Sequence, residues 1–363
     1  MKFTNLLKNV LGPVINKRVV ALFVDDFGSI RVKDKVACSR ILGHGIPDHI
    51  YLRDTLASEQ DLNAIFETLR SIRDCNNHPL CFTPFVIMGN PDFERIKHSG
   101  YQKYYREPFI NTLQRYGKGY EHAFDLWKEG RAEGIFIPAF HGIEHLNVKK
   151  WMKALQSGHK STLLGFENES VCIPSYKEER KIEGLVKACD IEKCTDIDSV
   201  ILDLEEGVKI FKTLFNEQPE LFTPGAGTYS PLMEKGMYQC GIKYIDTSRY
   251  KAQPLGDGKV VKQFHYLGQH NKFGQRYIVR NCAFEPVKLC DCAIDTCIDQ
   301  IGAAFMMHKP AIISSHRLNY IGHFDESNRT ENLKRLKTLL GMVKKRWPDV
   351  EFVSGKDICK LYQ

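Results

Sequence analysis

Apolar runs bounded by turn residues alternate along the chain with segments of helical period. Strands are predicted at Val19–Val24, Leu80–Met88, Gly134–Phe140, Glu220–Thr223, Ile242–Ile245, Gln275–Val279, Ala311–Ser314 and Val350–Val353. Between them apolar residues recur at i, i+3, i+4 and i+7. Examples are Leu62, Ile65, Phe66, Leu69, Ile72 and the shorter stripe Val148, Trp151, Met152, Leu155. Leu204, Val208, Phe211, Phe215 form another stripe, as do Leu333, Leu336, Leu340, Val343. Strand–helix alternation over the whole length predicts an α/β protein with parallel strands and helical crossovers. About seven such units close into a (β/α) barrel more readily than they spread into an open sheet. No low-complexity stretch or internal repeat marks a linker, so residues 17–363 read as one barrel. Residues 160–199 are irregular and polar and are expected to run as a loop over one barrel face.

Residues 1–16 have a pattern of their own. Leu6, Leu7, Val10, Leu11, Val14 and Ile15 form an apolar stripe flanked by Lys2, Lys8, Lys17 and Arg18. The expectation is an N-terminal helical extension packed on the barrel wall. The alternative is a basic amphipathic element, residues 2–18, resting on a membrane surface.

Composition narrows the classes. The 363 residues are 43% hydrophobic, enough for one large core and against wholesale disorder. No apolar run approaches the roughly 18 residues that cross a bilayer. The net charge of +7 is diffuse, with no stripe or tail of the kind that binds nucleic acid. A mild positive field suits an anionic substrate, such as a nucleotide- or lipid-linked sugar. The opening residues lack the features of a secretory signal, so the twelve cysteines read as reduced core thiols of a cytoplasmic protein. Cys290, Cys292 and Cys297 match no zinc-site spacing.

Three stretches carry candidate chemistry, each at the end of a predicted strand, where parallel (β/α) proteins place their active face. Asp25-Asp26-Phe27-Gly28 sets two carboxylates side by side, an arrangement that calls for a cation or a proton. His141-Gly-Ile-Glu-His145 offers two imidazoles that can converge on a divalent metal. Ser314-Ser315-His316-Arg317 brings a third histidine to the same face. The coincidence of all three at separate strand ends is hard to obtain from structural needs alone.

This order, completed by a Thr223-Pro224-Gly225 loop, resembles the polysaccharide deacetylases of carbohydrate esterase family 4. More narrowly it resembles bacterial deacetylase-like proteins with the stretches His141–Val148, Arg280–Pro286 and Ser315–Gly322. The resemblance covers residues 17–355 and implies a distorted (β/α) barrel holding one divalent metal, zinc by expectation, with cobalt or nickel as substitutes. Asp26, His141 and His145 would be the metal ligands, Asp25 the general base and His316 the general acid. Thr223, Pro224, Arg280, Arg317 and Asn319 would line the substrate. The implied reaction removes an N-acetyl group, or less readily an O-acetyl group, from a sugar in polysaccharide metabolism. The family's usual arginine beside the proline loop and its aspartate–tryptophan stretch are absent, and Arg280 is offered as an alternative orienter of Asp25.

Two competing readings come from other classes. One is a catalytically silent deacetylase-type barrel that binds carbohydrate or a partner. The other is a zinc peptidase built on His141-x-x-Glu144-His145, with Glu217 or Glu220 as third ligand. The peptidase reading requires Gly142 in a helix interior, at a cost of about 1 kcal/mol, and leaves Asp25, Asp26 and His316 unused.

Overall fold

A computed structural model of the chain describes residues 2–290 and 292–362. The barrel strands are β1 (Val19–Phe27), β2 (Phe82–Val86), β3 (Ala139–Phe140), β4 (Leu221–Phe222), β5 (Tyr244–Asp246), β6 (Arg276–Ile278), β7 (Cys282–Ala283) and β8 (Ala311–His316). They run parallel in the order β6-β5-β4-β3-β2-β1-β8-β7, and a further strand, β9 (Glu351–Phe352), pairs with the start of β1. The predicted strands therefore all occur, within a distorted (β/α) barrel. The predicted strand 134–140 is the most shortened, since Phe136 contributes only a single bridge to Phe82 before β3 begins.

The distortion lies at the seam. The edge strands β6 and β7 are not paired with each other. They are successive parts of one segment, which pairs with β5 through Arg276–Ile278 and with β8 through Cys282–Ala283. Asn281, between them, stitches the seam: its Oδ1 accepts from the Ile312 amide at 2.9 Å and its Nδ2 donates to the Pro310 carbonyl at 2.8 Å. A buried amide satisfied in this way fixes the segment on β8.

Strand parity sorts the core. Val19, Ala21 and Phe23 of β1 point into the barrel with Phe85, Leu221, Ile278 and Ile312. Val20, Leu22 and Val24 point outward under the helices, with Leu62, Phe66, Phe211 and Leu336. Both faces of the strands are covered, which is why they read as continuous apolar runs. The helices start where capping chemistry allows. Ser58 and Asp61 form a capping box on Glu59–Arg70, and the Asn147 side chain accepts from Lys150 N at the start of Val148–Gln156.

Two expectations are revised, and one hairpin has no counterpart in the sequence reading. Residues 160–167 form a helix, because the His159 ring accepts from the Thr162 amide and caps it; the irregular course begins only after Glu167. Tyr250–Gly256 and Lys259–Phe264 form an antiparallel hairpin outside the barrel, and Asp257-Gly258 at its tip, with φ of 54° and 74°, is the turn signal that marks it. The N-terminal stripe is inverted. Its helix is short, Phe3–Leu7, and Asn5 and Asn9 face the protein, with Asn9 Oδ1 accepting from Asn281 at 2.8 Å. Phe3, Leu7, Val10, Leu11 and Val14 face outward, from 46% exposed at Leu11 to 71% at Phe3. Among the described residues no helix is long and apolar enough to cross a membrane.

Candidate active site

Two adjacent strand residues normally point to opposite faces, so Asp25 and Asp26 cannot both reach the barrel mouth from a regular strand. A β-bulge resolves this. Between Val24 and Phe27 the register of β1 against β2 slips, so that three steps on β1 match two on β2. Phe27 accordingly joins Val20, Leu22 and Val24 on the outer face although its parity differs. Asp26 takes the left-handed conformation, φ 77°, a state that costs on the order of 1 kcal/mol and is best tolerated by Asn and Asp. Gly28, at φ 83°, completes the turn; a Cβ there would lie 2.6 Å from the Ile87 carbonyl oxygen.

The bulge delivers Asp26 to the histidine pair. Asp26 Oδ1 lies 3.6 Å from His141 Nε2 and 3.4 Å from His145 Nε2, and all three side chains are buried. Ligand atoms about 2.1 Å from one tetrahedral ion stand about 3.4 Å apart, so the set fits a zinc-like cation. His141 Nδ1 donates to the Thr223 carbonyl at 2.7 Å, which leaves the lone pair on Nε2, and that buried atom has no hydrogen-bond partner among the described residues. Burial and the nearby Arg31 cation push the His145 pKa down to about 3, so its ring is neutral as a ligand must be. Burial disfavours the Asp26 carboxylate, but the Arg31 charge foremost outweighs it, and the pKa lies well below the ordinary value. Arg31 Nη2 stands 3.3 Å from both Asp26 oxygens.

Asp25 lies beside this triad and is held from the seam. Arg280 reaches its two oxygens at 2.6 and 2.7 Å in a bidentate pair and donates through Nε to Asp246 at 2.8 Å. Burial raises the Asp25 pKa, the Arg280 charge and hydrogen bonds lower it further, and the net direction is down. Asp25 is therefore a carboxylate ready to accept a proton. Its strand neighbour is His316, opposite it in the β1–β8 register, with Nε2 4.0 Å from Asp25 Oδ2. His316 Nδ1 bonds Glu285, whose other oxygen accepts from Asn319 at 2.8 Å. Burial works against the imidazolium, yet Glu285, with Asp26 and Asp25 beyond it, raises the pKa to about 9. At neutral pH the ring carries a proton to give.

These groups line one open cavity of about 980 Å³. Pro224 lies on its wall, as do Tyr51 and the strand end at Ser314. Thr223 also borders it, but its carbonyl is committed to His141 and its hydroxyl to Asp246 at 2.7 Å. Arg280 lines the cavity, and it is also the clamp on Asp25 that its offered role as orienter calls for. Arg317 and Asn319 are corrected outright: both are fully buried away from the cavity. Arg317 is ion-paired to Asp54 at 2.9 Å because a guanidinium with no exposure needs a carboxylate beside it. Glu285, Arg31 and Asp246 were not among the sequence-derived site residues. Glu285 carried a signal, in the Phe-Glu-Pro ending of the stretch that begins at Arg280; Arg31 carried none. The peptidase ligand set is not assembled: Glu144 faces Arg106 and Tyr104, Glu217 pairs with Arg131 and Glu220 with Lys243.

No family model and no curated protein matches the chain. Solved structures do. A provisionally assigned glycoside hydrolase/deacetylase from Parabacteroides distasonis matches at a TM-score of 0.52 and 11% identity, over 96% of this chain and 72% of its own. A provisionally assigned polysaccharide deacetylase from Mycobacterium smegmatis matches at 0.45 and 13%, over 97% and 92%. A 4-alpha-glucanotransferase from Thermococcus litoralis matches at 0.48 and 6%; the chain spans 95% of itself but only 40% of that enzyme's length. At these identities the likeness is one of fold.

Proposed function

We propose that the protein is a metal-dependent hydrolase that removes an N-acetyl group from a sugar. The observation that carries this reading is geometric: Asp25, clamped by Arg280, and His316, clamped by Glu285, lie opposite each other in the strand register beside Asp26, His141 and His145 at one cavity. When bound, a divalent cation supplies polarisation of the acetyl carbonyl and a water acidified to a pKa of about 7. Asp25, locked by Arg280, takes the proton from the attacking water. His316, locked by Glu285, gives a proton to the departing nitrogen. An amine leaves poorly until protonated, so a ring charged at neutral pH favours an amide over an ester substrate. Zinc is the metal that the two-imidazole, one-carboxylate set favours, with open positions for water and substrate.

The test measures metal content together with acetate release from N-acetylated sugars. Asp26→Ala should lose both metal and activity. Asp25→Asn should keep the metal and lose about 10²–10⁴ in rate. A wild-type protein that carries the metal yet releases no acetate from any N-acetyl sugar would refute the reading.

The outward-facing Phe3, Leu7, Val10, Leu11 and Val14 expose apolar side chains along the first fourteen residues together with Lys2 and Lys8, and Lys8 also borders the cavity. As part of the same proposal, this stretch rests on an anionic membrane surface, with the cavity mouth close to the headgroups.

A further inference from the structure

Lys8 borders the cavity as an exposed side chain; the other cations in and beside the cavity fall into two groups. Arg31 and Arg280 are matched by Asp26, Asp54, Asp25 and Asp246, and Lys181 by Glu183. Lys187, Arg249 and Lys251 have no carboxylate within ion-pair distance among the described residues. Lys187 and Arg249 line the cavity, and all three side chains are half-buried. Burial lowers the Arg249 pKa with no acid to offset it, and burial together with the Lys187 charge lowers that of Lys251. Lys187 and Lys251 are close enough to repel, and partly desolvated like charges with no acid beside them are unfavourable unless an anion joins them.

Their position relative to the catalytic groups is set by the turn Gly225-Ala226-Gly227. A Cβ on Gly225 would stand 3.6 Å from His145 Cε1, and one on Gly227 would stand 3.6 Å from Lys251 Nζ and 3.2 Å from Ser248 Oγ. Ala226 and Gly227 both have positive φ, and the Ala226 carbonyl accepts from Lys251 Nζ, using one of its three donors. One end of the turn thus touches the imidazole of a candidate metal ligand and the other touches Lys251. Three residues span at most about 10 Å, a reach comparable to one substituted sugar ring.

We propose that Lys187, Arg249 and Lys251 form an anion subsite that holds a phosphate or pyrophosphate ester borne by the sugar whose acetamido group is cleaved. The inference rests on the deacetylase reading for the cleavage and stands independently of it for the anion. A neutral polysaccharide offers nothing to these three groups, whereas a sugar phosphate satisfies them with charge-assisted hydrogen bonds. The carrier beyond the phosphate, nucleoside or lipid, shares this chemistry.

The experiment uses the full-length, metal-loaded protein and has two readouts. First, inorganic phosphate is titrated calorimetrically into wild type, into Lys187→Gln/Arg249→Gln/Lys251→Gln, and into Asp26→Ala. The subsite predicts binding that weakens at least tenfold in the triple variant and persists in Asp26→Ala. Equal affinity in wild type and triple variant overturns it, and so does loss confined to Asp26→Ala, which would place the anion on the metal. Circular dichroism and the Arg249→Lys single variant, expected to retain binding, guard against misfolding. Second, kcat/KM is compared for an N-acetylhexosamine 1-phosphate, its nucleoside diphosphate ester, its polyprenyl pyrophosphate ester and an uncharged methyl glycoside. At least one charged ester should exceed the glycoside by tenfold or more, an advantage lost in the triple variant, and the better of the two carriers identifies the source. A glycoside cleaved as fast as every ester overturns the proposal. Phosphate binding that behaves as expected, with no acetate released from any of the four, refutes the deacetylase reading and leaves the subsite standing.

Discussion

Glu285→Gln keeps the shape of the residue that holds His316 and removes its charge. Burial opposes the imidazolium, yet Glu285, backed by Asp26 and Asp25, lifts the pKa to about 9 from an ordinary 6.5. At about 1.36 kcal/mol per pKa unit, the folded site favours the charged ring by about 3 kcal/mol. Glu285 is the largest of the raising influences. Without it, burial opposes only the weaker pull of Asp26 and Asp25, and the pKa falls back toward the ordinary 6.5. At pH 8 the protonated fraction then falls from about nine-tenths to about three-hundredths, a roughly 30-fold loss of general acid. The assay is acetate release against pH. Wild type should decline near pH 9, and the variant about two pH units earlier, with the acid limb unmoved. Stability follows the same sign. A raised folded pKa contributes fully below about pH 6.5 and is lost as pH rises through about 9, so the wild-type melting temperature should fall across that window and the variant's should not. A basic limb that stays near pH 9 in Glu285→Gln, with His316 still titrating there by NMR of the metal-free protein, would refute the assignment.

Arg280→Gln removes the cation that holds Asp25 ionised. Burial then raises the Asp25 pKa, and the acid limb of the rate profile should move upward while bound zinc, measured by mass spectrometry, stays stoichiometric. Arg317→Met leaves the buried Asp54 carboxyl with only the longer 3.8 Å contact to Arg31 and should cost up to about 3–5 kcal/mol in denaturant unfolding, with KM unchanged in the folded fraction. A raised KM at unaltered stability would instead restore Arg317 as a substrate contact. Leu7→Gln/Leu11→Gln should weaken co-sedimentation with anionic vesicles severalfold while leaving acetate release from a soluble substrate intact. Equal sedimentation of variant and wild type would remove the membrane from the proposal.

The legible and the hidden parts of this chain divide along a physical line. Strand positions were legible because Val19–Val24 and Ala311–Ser314 are covered on both faces and so stand out as apolar runs. The same coverage erased the alternation that would have told inward from outward residues, so the bulge at Asp25-Asp26, marked by no glycine of its own, could not be read. Asp26, His141 and His145 were legible as a set through motif order, and the structure brings them within ligand distance of one another. Arg317 misled because its neighbour His316 faces the cavity while the next residue of the chain turns into the interior. Arg280 was legible as the orienter of Asp25, and the bidentate pair bears that out; the role of Glu285 depends on how the barrel closes, a long-range event that leaves only a faint local trace. The N-terminal stripe shows the opposite failure: its spacing was plain, but two asparagines, not the leucines, found partners in the protein.

The closing segment has a consequence for how the protein fails. Arg280 and Glu285 hang from the same short stretch that joins the two open edges of the sheet, one steering the base and the other the acid. Loosening that clasp would slacken both proposed proton carriers together while leaving the three candidate metal ligands, which sit on β1 and on the loop after β3, in place. Heat or denaturant that frays the clasp first would produce a metal-loaded, largely folded and inert molecule. Inactivation would then run ahead of melting.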